Sequence, residues 1–217
     1  MSKDSKEIIL KKIRAVEESW IDHPDFFPSQ EVVCLNDDLF SDIPEDLFTA
    51  FKENAGNVGA EVFLFKNDEE AALFAENLFI EQGIEEVYCQ NRIILGFFKK
   101  TQVVFQPNFS MLEGKKAGIS NADFFIARTG SVLAIANKPS EQKMFAFPDL
   151  HIVWGYTRQL CKDISDGLNS TFSNISSMLP FMTALITGPS RTADIEKTLV
   201  MGAHGPEKLV ILLIQSH

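Results

Sequence analysis

Short apolar runs alternate along the chain with longer segments in which apolar residues recur at helical spacing. The longer segments predict helices over residues 44–56, 67–83, 157–168 and 192–200. The short runs are rich in valine, isoleucine and phenylalanine, and they predict strands over residues 31–35, 60–65, 85–89, 101–106, 151–156, 183–187 and 208–214. Strands that alternate with helices are typical of an α/β fold in which helices cover both faces of a sheet.

The second predicted helix carries capping signals at both ends. Asn67 can accept hydrogen bonds from the first turn, and Glu70 stands three positions later, as in a capping box. Gly83 can take the left-handed conformation that ends a helix. The helix before it has Pro44 in its first turn and Gly56 past its end, which are residues favoured at those places.

Two extended runs are predicted within residues 122–137, joined by the residues RTGS. Turn-forming residues between two runs of β-formers predict a hairpin. Hairpin strands are antiparallel, whereas strands linked through helices are parallel. We therefore expect a three-layer α/β/α fold with a mixed, mainly parallel sheet.

The N-terminal residues predict a separate element. Apolar residues from Ile9 to Trp20 recur at helical spacing, and a stretch with two prolines follows. This helix can pack on its own domain or on another subunit. The predicted organisation is an N-terminal helical arm, residues 1–30, and one α/β domain, residues 31–217.

The chain of 217 residues is acidic, with 30 Asp and Glu residues against 20 Lys and Arg residues and a net charge of −10. Nonspecific binding to nucleic acids depends on clustered basic side chains, so we predict no nucleic-acid partner. The same charge argues against an anionic membrane surface. A local basic pocket can still exist in an acidic protein, so the net charge says little about a small ligand.

The start of the chain is too charged for a secretory signal, and no apolar run approaches the ~20 residues of a membrane span. The three cysteines, Cys34, Cys89 and Cys161, lie far apart and form no CxxC pair. We therefore predict a cytoplasmic protein without membrane insertion that binds no metal and holds no cofactor of its own.

The stretch TGPSRTADIEKTLVMGAHGP, residues 187–206, predicts a strand end, a glycine turn and a helix. Ligands of open α/β sheets bind beyond the carboxyl ends of the strands, where this turn would lie. Thr192 can cap the helix, whose free amides attract anions, and Arg191 can hold a carboxylate or phosphate through two hydrogen bonds. Candidate ligand-binding residues here are Gly188, Ser190, Arg191, Thr192 and Asp194.

A purely structural interpretation of the same stretch is equally open. Gly188 and Pro189 can simply turn the chain, while acidic residues in the first turn of the helix stabilise it. His204 lies in the loop GAHGP, where a histidine can act as an acid or base or can lie at the surface. A helix of about nine residues would hold Arg191 and His204 roughly 13 Å apart, so they need not share a pocket.

The hairpin turn RTGS is the second candidate. The hydroxyls of Thr129 and Ser131 can bind a ligand carboxylate, and Gly130 allows close approach of the backbone. Asp123 can orient these hydroxyls or merely mark the start of a strand. The alternative is an ordinary hairpin turn. The sequence contains neither a G-x-S-x-G elbow nor a P-loop, and His151 is isolated, so no catalytic residue is predicted.

Two of these stretches together resemble a known family. The residues AGISNADFFIARTGSVLAI are similar to the pattern G-(I/V)-T-x-A-D-(F/Y)-x-I-A-E-T-G-T, and TGPSRTADIEKTLVMGAHGP is similar to the C-terminal signature SGPSRTADIE…GVHGP. Both patterns belong to the lactate-utilisation (LUD) domain family, the group of lactate-utilisation protein C and the YkgG-like proteins. The resemblance extends over residues 58–215, with order and spacing kept.

The resemblance implies a sugar-phosphate isomerase/CoA-transferase-like fold (NagB/RpiA/CoA transferase-like). It also implies a place in a system that oxidises L-lactate to pyruvate, with iron–sulfur clusters expected on two partner proteins of the same operon. This chain would be a non-redox component that binds a small anionic metabolite. Two alternatives stay open: a structural or assembly subunit that docks onto the iron–sulfur proteins, and a stand-alone enzyme of the isomerase or acyl-transfer type. The enzyme would need a carboxylate base in its pocket, such as Asp123 or Asp194.

One position departs from the family pattern. Where the family has a glutamate before Thr-Gly, this chain has Arg128. If that glutamate is a catalytic base, this protein lacks it. If it only frames a pocket, Arg128 makes the rim basic and favours an anionic ligand. The ligand-binding candidates are therefore Arg128, Thr129, Gly130, Ser131, Gly188, Ser190, Arg191, Thr192, Asp194 and His204.

Overall fold

The computed structural model describes residues 45–98, 103–107, 116–173, 180–192, 200–201 and 205–216, together with Lys11. Some predictions fall outside the described residues: the helix over 5–20 (Lys11 excepted), the strand over 31–35, and the candidates Asp194 and His204. Apart from Lys11, the described residues belong to one compact unit, Ile43–His217. The division of the chain at residue 30 stays a prediction.

Twelve strands occur in the described residues. In chain order they are β1 (Glu61–Phe65), β2 (Glu86–Cys89), β3 (Val104–Gln106), β4 (Lys116–Asn121), β5 (Phe124–Ile126), β6 (Ser131–Ala136), β7 (Leu150–Tyr156), β8 (Leu160–Cys161), β9 (Met182–Ile186), β10 (Arg191–Thr192), β11 (Val200–Met201) and β12 (Lys208–Ile214). The strands predicted within the described residues are confirmed, with small shifts at their ends. The sequence did not predict β4, β8, β10 and β11.

Five helices are described: α1 (Leu47–Asn57), α2 (Asp68–Gln82), α3 (Arg92–Leu95), α4 (Pro139–Ala146) and α5 (Ile164–Ser173). The first two confirm predicted helices, although α1 includes Gly56, which was predicted to lie past its end. Capping explains where they begin. The Asp46 side chain accepts two backbone N–H groups of the first turn of α1. Asn67 accepts the Glu70 N–H at 2.9 Å, and Gly83, with φ 65°, ends α2 as predicted. None of the described helices is long and apolar enough to cross a membrane.

Six strands form the central sheet in the order β1-β12-β7-β4-β2-β3, and every neighbouring pair is parallel. The predicted α/β fold with a mainly parallel central sheet is therefore confirmed. The expectation that the RTGS hairpin joins this sheet is wrong. Its strands, β5 and β6, belong to a separate four-stranded sheet with the order β8-β5-β6-β9. Only Ala122 and Asp123 link β5 to β4, and both sides of β4 are already paired with β2 and β7.

The central sheet is buried on both faces. On one face it shares a core with α2, in which Phe79 and Trp154 are almost fully buried. On the other face it packs against α1 and the second sheet, where the rings of Phe51 and Phe125 meet edge to face with centroids 5.3 Å apart. The run KLVILLI of β12 follows from this arrangement, because a strand covered on both faces needs apolar residues at nearly every position.

The helix predicted over residues 157–168 is wrong in its first half. The chain instead makes one 3₁₀ turn, Thr157–Gln159, and then β8, which pairs in parallel with β5. The Gln159 side chain holds this conformation, because it accepts the Tyr156 N–H at 2.6 Å and donates to the Ala122 carbonyl at 2.6 Å. Strand pairing thus overrides the helical spacing, and α5 begins only afterwards and extends to Ser173, past the predicted end at residue 168.

The RTGS turn lies directly against α1. Gly130, with φ 62°, packs so closely on the backbone of Ala55 that a Cβ atom would overlap the Ala55 nitrogen. The Asn54 side chain of α1 also donates to the Ala127 carbonyl at 2.8 Å. Glycine alone combines this left-handed conformation with so close an approach. The contact fixes the second sheet to α1.

We expect Gly130→Ala to destabilise the fold much more than Gly83→Ala. Both glycines are left-handed, which costs an alanine about 1–2 kcal/mol. A Cβ atom at Gly83 meets no atom within 4 Å, whereas at Gly130 it overlaps the backbone of α1. The overlap should add about 2 kcal/mol or more. Urea unfolding of both variants measures the difference, and equal losses would contradict the close contact.

Candidate functional site

The glycine turn of TGPSR follows β9 and lies beside the first residues of β12. The Ser190 N–H donates to the Pro206 carbonyl at 2.8 Å, just before β12 begins. The turn therefore lies at the amino ends of the central parallel strands. The expectation that it lies beyond their carboxyl ends is wrong, because β9 belongs to the second sheet, where it runs antiparallel to β6.

Arg191 contacts the C-terminal end of α1. Its Nη2 atom donates to the Val58 carbonyl at 2.7 Å. Gly188, with φ 74°, packs on the same carbonyl so closely that a Cβ atom would overlap it. A cation at the C-terminal end of a helix interacts favourably with the helix dipole. Arg191 therefore holds the turn against α1, a role that the sequence did not reveal, and its grip on a ligand stays a prediction.

The helix predicted over residues 192–200 is wrong at both of its ends. Arg191 and Thr192 form β10, which pairs antiparallel with Val200 and Met201 in β11. Thr192 is therefore a strand residue and not a helix cap. Four of these nine residues are β-branched, which lowers helix propensity and favours extended backbone. The pairing brings the two ends of the segment together, whereas a helix would have held them roughly 13 Å apart.

Arg128 forms an ion pair with Asp163, immediately before α5. Its Nε and Nη2 atoms both contact the Asp163 carboxylate, the second at 3.2 Å. Its backbone N–H donates to the Lys162 carbonyl at 3.1 Å. The pair connects the hairpin to the start of α5. It also neutralises the positive charge of Arg128, which was expected to lie on the rim of a pocket. Arg128 lines neither of the two cavities described below.

The two candidate turns meet through a chain of hydroxyl groups. Ser131 is fully buried, and its Oγ donates to Thr129 Oγ1 at 2.7 Å and lies 2.8 Å from Thr187 Oγ1. Because β6 and β9 are neighbours, RTGS and TGPSR lie side by side. A ligand was predicted to bind between these turns, and the structure does bring the turns together. The Ser131 hydroxyl bonds to both the Thr129 and the Thr187 hydroxyls.

A cavity of about 270 Å³ opens beside TGPSR, and we call it the turn cavity. Its polar side chains are Thr187, Ser190 and His151, and its remaining walls are glycine and apolar: Phe145, Ala146, Leu185, Ile186, Gly188, Gly205, Pro206 and Leu209. Among the described residues that line it, none has a carboxylate, a lysine amine or a guanidinium group. Of the predicted ligand-binding residues, Gly188 and Ser190 line this cavity.

His151 lines the turn cavity and has one unpaired polar atom. Its ring is fully buried, and Nε2 lies 2.8 Å from Ser120 Oγ. Within the described part of the chain, Nδ1 has no hydrogen-bond partner. Burial lowers the pKa of His151 to about 4, so the ring is neutral at pH 7. Buried polar atoms are nearly always paired, so this unpaired nitrogen, in a residue that lines a cavity, is a candidate contact for a ligand.

A second cavity of about 270 Å³ lies beyond the carboxyl ends of β2 and β4, and we call it the switch-point cavity. These neighbouring strands continue in opposite directions, because β2 leads to β3 on one side and β4 leads through the second sheet to β7 on the other. Ligands of open α/β sheets bind at such switch points. Polar side chains dominate the lining: Gln90, Asn91, Ser120, Asn121, Asp123, Asn137 and Glu141.

Asp123 and Glu141 bring two carboxylates to the switch-point cavity. One Asp123 oxygen accepts the Ile135 N–H at 2.7 Å, and a Glu141 oxygen accepts the Asn137 N–H at 2.6 Å. Burial raises the pKa of Asp123, and the nearby Glu141 charge adds to this effect. A carboxyl group with a raised pKa in a cavity is suited to exchange protons with a ligand. Asp123 thus lies where the enzyme alternative requires a carboxylate.

Ser120 and His151 join the two cavities. Ser120, near the end of β4, lines the switch-point cavity, and His151, near the start of β7, lines the turn cavity. Phe145 lines both, with its ring centroid 6.0 Å from that of His151. The sequence did not predict this pair. The available signal is a polar residue within an otherwise apolar parallel strand, since such a residue must find a partner when both faces are covered.

No group of three or more His, Cys, Asp or Glu residues that could hold a metal ion occurs in the described part of the chain. Cys89 and Cys161 are free, and burial raises the pKa of both thiols to about 11. Neither is therefore a reactive thiolate at neutral pH. That this chain holds no cofactor stays a prediction.

Comparison with known families gives a match to the LUD domain over residues 48–214, which is most of the chain. A protein of known structure is also similar, a DUF162 family protein from Deinococcus radiodurans. It has a TM-score of 0.54 and 16% sequence identity, and the comparison covers 77% of this chain and 96% of that chain. At this identity the likeness supports the fold alone.

Curated relatives match parts of the chain. An uncharacterized protein of Neisseria meningitidis is 35% identical over 98 residues, which is 45% of this chain and 42% of that protein. Lactate utilization protein C of Bacillus subtilis is 27% identical over 111 residues, 50% of this chain and 46% of that protein. Uncharacterized protein YkgG of Escherichia coli is 26% identical over 125 residues, 52% of each. The chain thus spans about half the length of the curated relatives it matches.

We expect the protein to lose stability as the pH falls, and we expect part of this loss to depend on His151. The ordinary pKa of histidine is 6.5, and burial lowers that of His151 to about 4. Between these values the unfolded chain binds a proton that the folded protein does not. The stability that depends on a neutral His151 is therefore fully present above the unfolded pKa and is lost as the pH falls toward the folded pKa. The loss should be roughly 3 kcal/mol.

Urea unfolding at about pH 7 and about pH 4.5 measures this effect. Carboxylates titrate in the same range, so the informative quantity is the difference between the wild type and His151→Gln. The variant has no ring to protonate and should lose less stability on acidification. Equal losses in the two proteins would contradict a buried, neutral His151.

Proposed function

Because the chain belongs to the LUD domain family, we propose that it takes part in lactate utilisation as a non-redox component that binds a small organic acid. The name of its Bacillus subtilis relative, lactate utilization protein C, supports the pathway. The turn cavity supports the class of ligand. Since the relatives are matched over about half of their length, the pathway is inferred for this chain and is tested below through its ligand.

The single observation that carries the proposal is the unpaired Nδ1 atom of His151, a residue that lines the turn cavity. In a neutral imidazole this nitrogen can carry the proton and donate it to a carboxylate oxygen. The hydroxyls of Thr187 and Ser190 line the same cavity and supply further donors. The described lining has no carboxylate that would repel an anion.

The apolar walls of the turn cavity suit the rest of a three-carbon acid. Leu185, Ile186 and Leu209 can take up a methyl group, and its burial contributes to binding. Lactate and pyruvate each have one carboxylate, one methyl group and one oxygen on the middle carbon. A ligand of this size, bound without a cationic side chain, is expected to have a Kd of about 1 mM.

We propose that other proteins carry out the redox chemistry of the pathway. Oxidation of lactate to pyruvate releases two electrons and two protons, which a partner must accept. Iron–sulfur proteins of the same operon are the partners that the family resemblance implies, and we propose them here. Recovery of the tagged protein from its native cells, with the iron content of the co-purified proteins measured, tests this partnership. Partners without iron would count against it.

Asp123 favours a second candidate function, that of a stand-alone enzyme with this carboxylate as its general base. The residue lines the switch-point cavity, and its raised pKa suits proton transfer. An enzyme of this kind would exchange the methyl protons of pyruvate for deuterium, which proton NMR in heavy water detects. Asp123→Asn should abolish that exchange. It should leave binding in the turn cavity unchanged.

We expect lactate or pyruvate to raise the melting temperature of the protein. A Kd of about 1 mM and a ligand concentration of about 10 mM stabilise the folded state by about 1.4 kcal/mol. For a chain of this length this is a shift of about 3–5 °C. Differential scanning calorimetry measures it, with sodium chloride at equal ionic strength as the reference. No shift with either acid would overturn the proposed ligand.

Variants locate the binding site. Ser190→Ala and His151→Gln each remove a donor from the turn cavity and should weaken binding about fivefold or more. Ser165→Ala changes an exposed serine on α5 and should leave the shift intact. An equal shift in the wild type, Ser190→Ala and His151→Gln would place the ligand elsewhere on the protein.

A further inference from the structure

His151 lines the turn cavity, and its ring contacts a serine that lines the switch-point cavity. Nε2 lies 2.8 Å from the hydroxyl oxygen of Ser120. Nδ1 is buried and has no partner among the described residues. What binds at one nitrogen therefore affects the hydrogen bond at the other.

The direction of the Ser120–His151 hydrogen bond depends on the tautomer of the ring. A neutral imidazole carries one proton, so one nitrogen donates and the other accepts. With the turn cavity empty, either arrangement satisfies Nε2, because the Ser120 hydroxyl can donate or accept. A carboxylate has only acceptor atoms. Bound at Nδ1, it selects the tautomer with the proton on Nδ1, and Nε2 must then accept the Ser120 proton.

We propose that a carboxylate bound in the turn cavity makes Ser120 a nucleophile toward a substrate in the switch-point cavity. The inference rests on the proposed function, since the carboxylate is the ligand proposed there. The resulting chain of groups is carboxylate, His151 and Ser120, in the order found in serine hydrolases. Here the ligand supplies the carboxylate that those enzymes take from an Asp or Glu side chain.

The carboxylate also changes the strength of the base. Burial alone keeps the pKa of His151 at about 4, at which the ring is a weak base for a serine hydroxyl. A negative charge hydrogen-bonded to Nδ1 stabilises the protonated ring and raises that pKa. Ser120 is therefore expected to react slowly without the ligand and faster with it.

The lining of the switch-point cavity indicates the class of substrate. The Asn91 side-chain oxygen accepts the N–H groups of Ile93 and Ile94, so its NH₂ group is left to donate to a carbonyl oxygen. Asp123 and Glu141 stand in the same lining and disfavour an anionic substrate. An uncharged acyl ester fits both conditions.

The reaction conserves atoms and charge without a further reactant. Ser120 Oγ forms a bond with the carbonyl carbon of the ester, and its proton passes to Nε2 of His151. The bond between the carbonyl carbon and the leaving oxygen breaks, and the alcohol leaves with that proton or as its anion. The product is an ester of Ser120, which water can hydrolyse.

The test uses p-nitrophenyl acetate as the ester and propionate as the carboxylate. Propionate has the size and charge of lactate but no reactive group. At neutral pH, saturating propionate should increase the initial release of p-nitrophenolate about tenfold, with the acetyl group found on Ser120 by mass spectrometry of peptides. Release that is independent of propionate, or acetylation at other residues only, would overturn the proposal.

Variants give the matched controls. Ser120→Ala should abolish the propionate-dependent release, and Ser120→Thr, which keeps a hydroxyl, should retain part of it. His151→Gln can still bond to Ser120 but cannot relay a proton, and it should show no response to propionate. Ser165→Ala should behave as the wild type. A propionate response that persists in Ser120→Ala would overturn the proposal.

Nitrogen NMR of the His151 ring distinguishes binding of the carboxylate from activation of Ser120. Propionate should shift the spectrum toward the tautomer with a protonated Nδ1, with the signal assigned by its loss in His151→Gln. This shift without any change in Ser120 reactivity would overturn the activation of Ser120 and leave the proposed ligand intact. No shift and no thermal stabilisation would overturn the proposed function itself.

Discussion

The structure depends on the contact of two glycine turns with the C-terminal end of α1. Gly130 lies on the backbone of Ala55, and Gly188 lies on the Val58 carbonyl, to which Arg191 also donates. A side chain at either glycine would push a turn away from the helix. Because both turns contact one helix end, they also contact each other, and this is what aligns their hydroxyl groups and shapes the turn cavity beside them.

The sequence predicted those features that depend on residues close together in the chain. The caps of α2 are an example, since Asn67 and Gly83 act through their own side chain and backbone. Pairing between distant segments was not predictable in this way. Residues 157–168 have helical spacing, but β8 forms because β5 offers it a partner. The helix over residues 192–200 was wrong at its two ends for the same reason, since β10 and β11 pair there.

The candidate site was predicted in part. The sequence singled out Gly188 and Ser190, which line the turn cavity, but it missed His151, whose importance lies in an unpaired atom that only a structure reveals. Arg191 and Arg128 were expected to face a ligand. In the structure Arg191 donates to a backbone carbonyl, and Arg128 pairs with the carboxylate of Asp163. A charged residue next to a glycine turn thus has two uses, and the sequence does not distinguish them.

The two cavities differ in the chemistry that they offer. The turn cavity offers donors in an apolar setting, whereas the switch-point cavity offers two carboxylates among amide side chains. Their common wall is Phe145 and the Ser120–His151 pair. An acid in the first and an uncharged ester in the second would be held apart by Phe145 while communicating through a single shared proton.

The position of β12 has a consequence for how the protein forms in the cell. This strand, near the C-terminal end of the chain, lies between β1 and β7 and pairs with both. Until β12 has left the ribosome, β1 has no partner among the described strands, and the central part of the apolar core is missing. Contacts between such distant segments slow folding. The nascent chain should therefore stay open to chaperones until β12 has been synthesised.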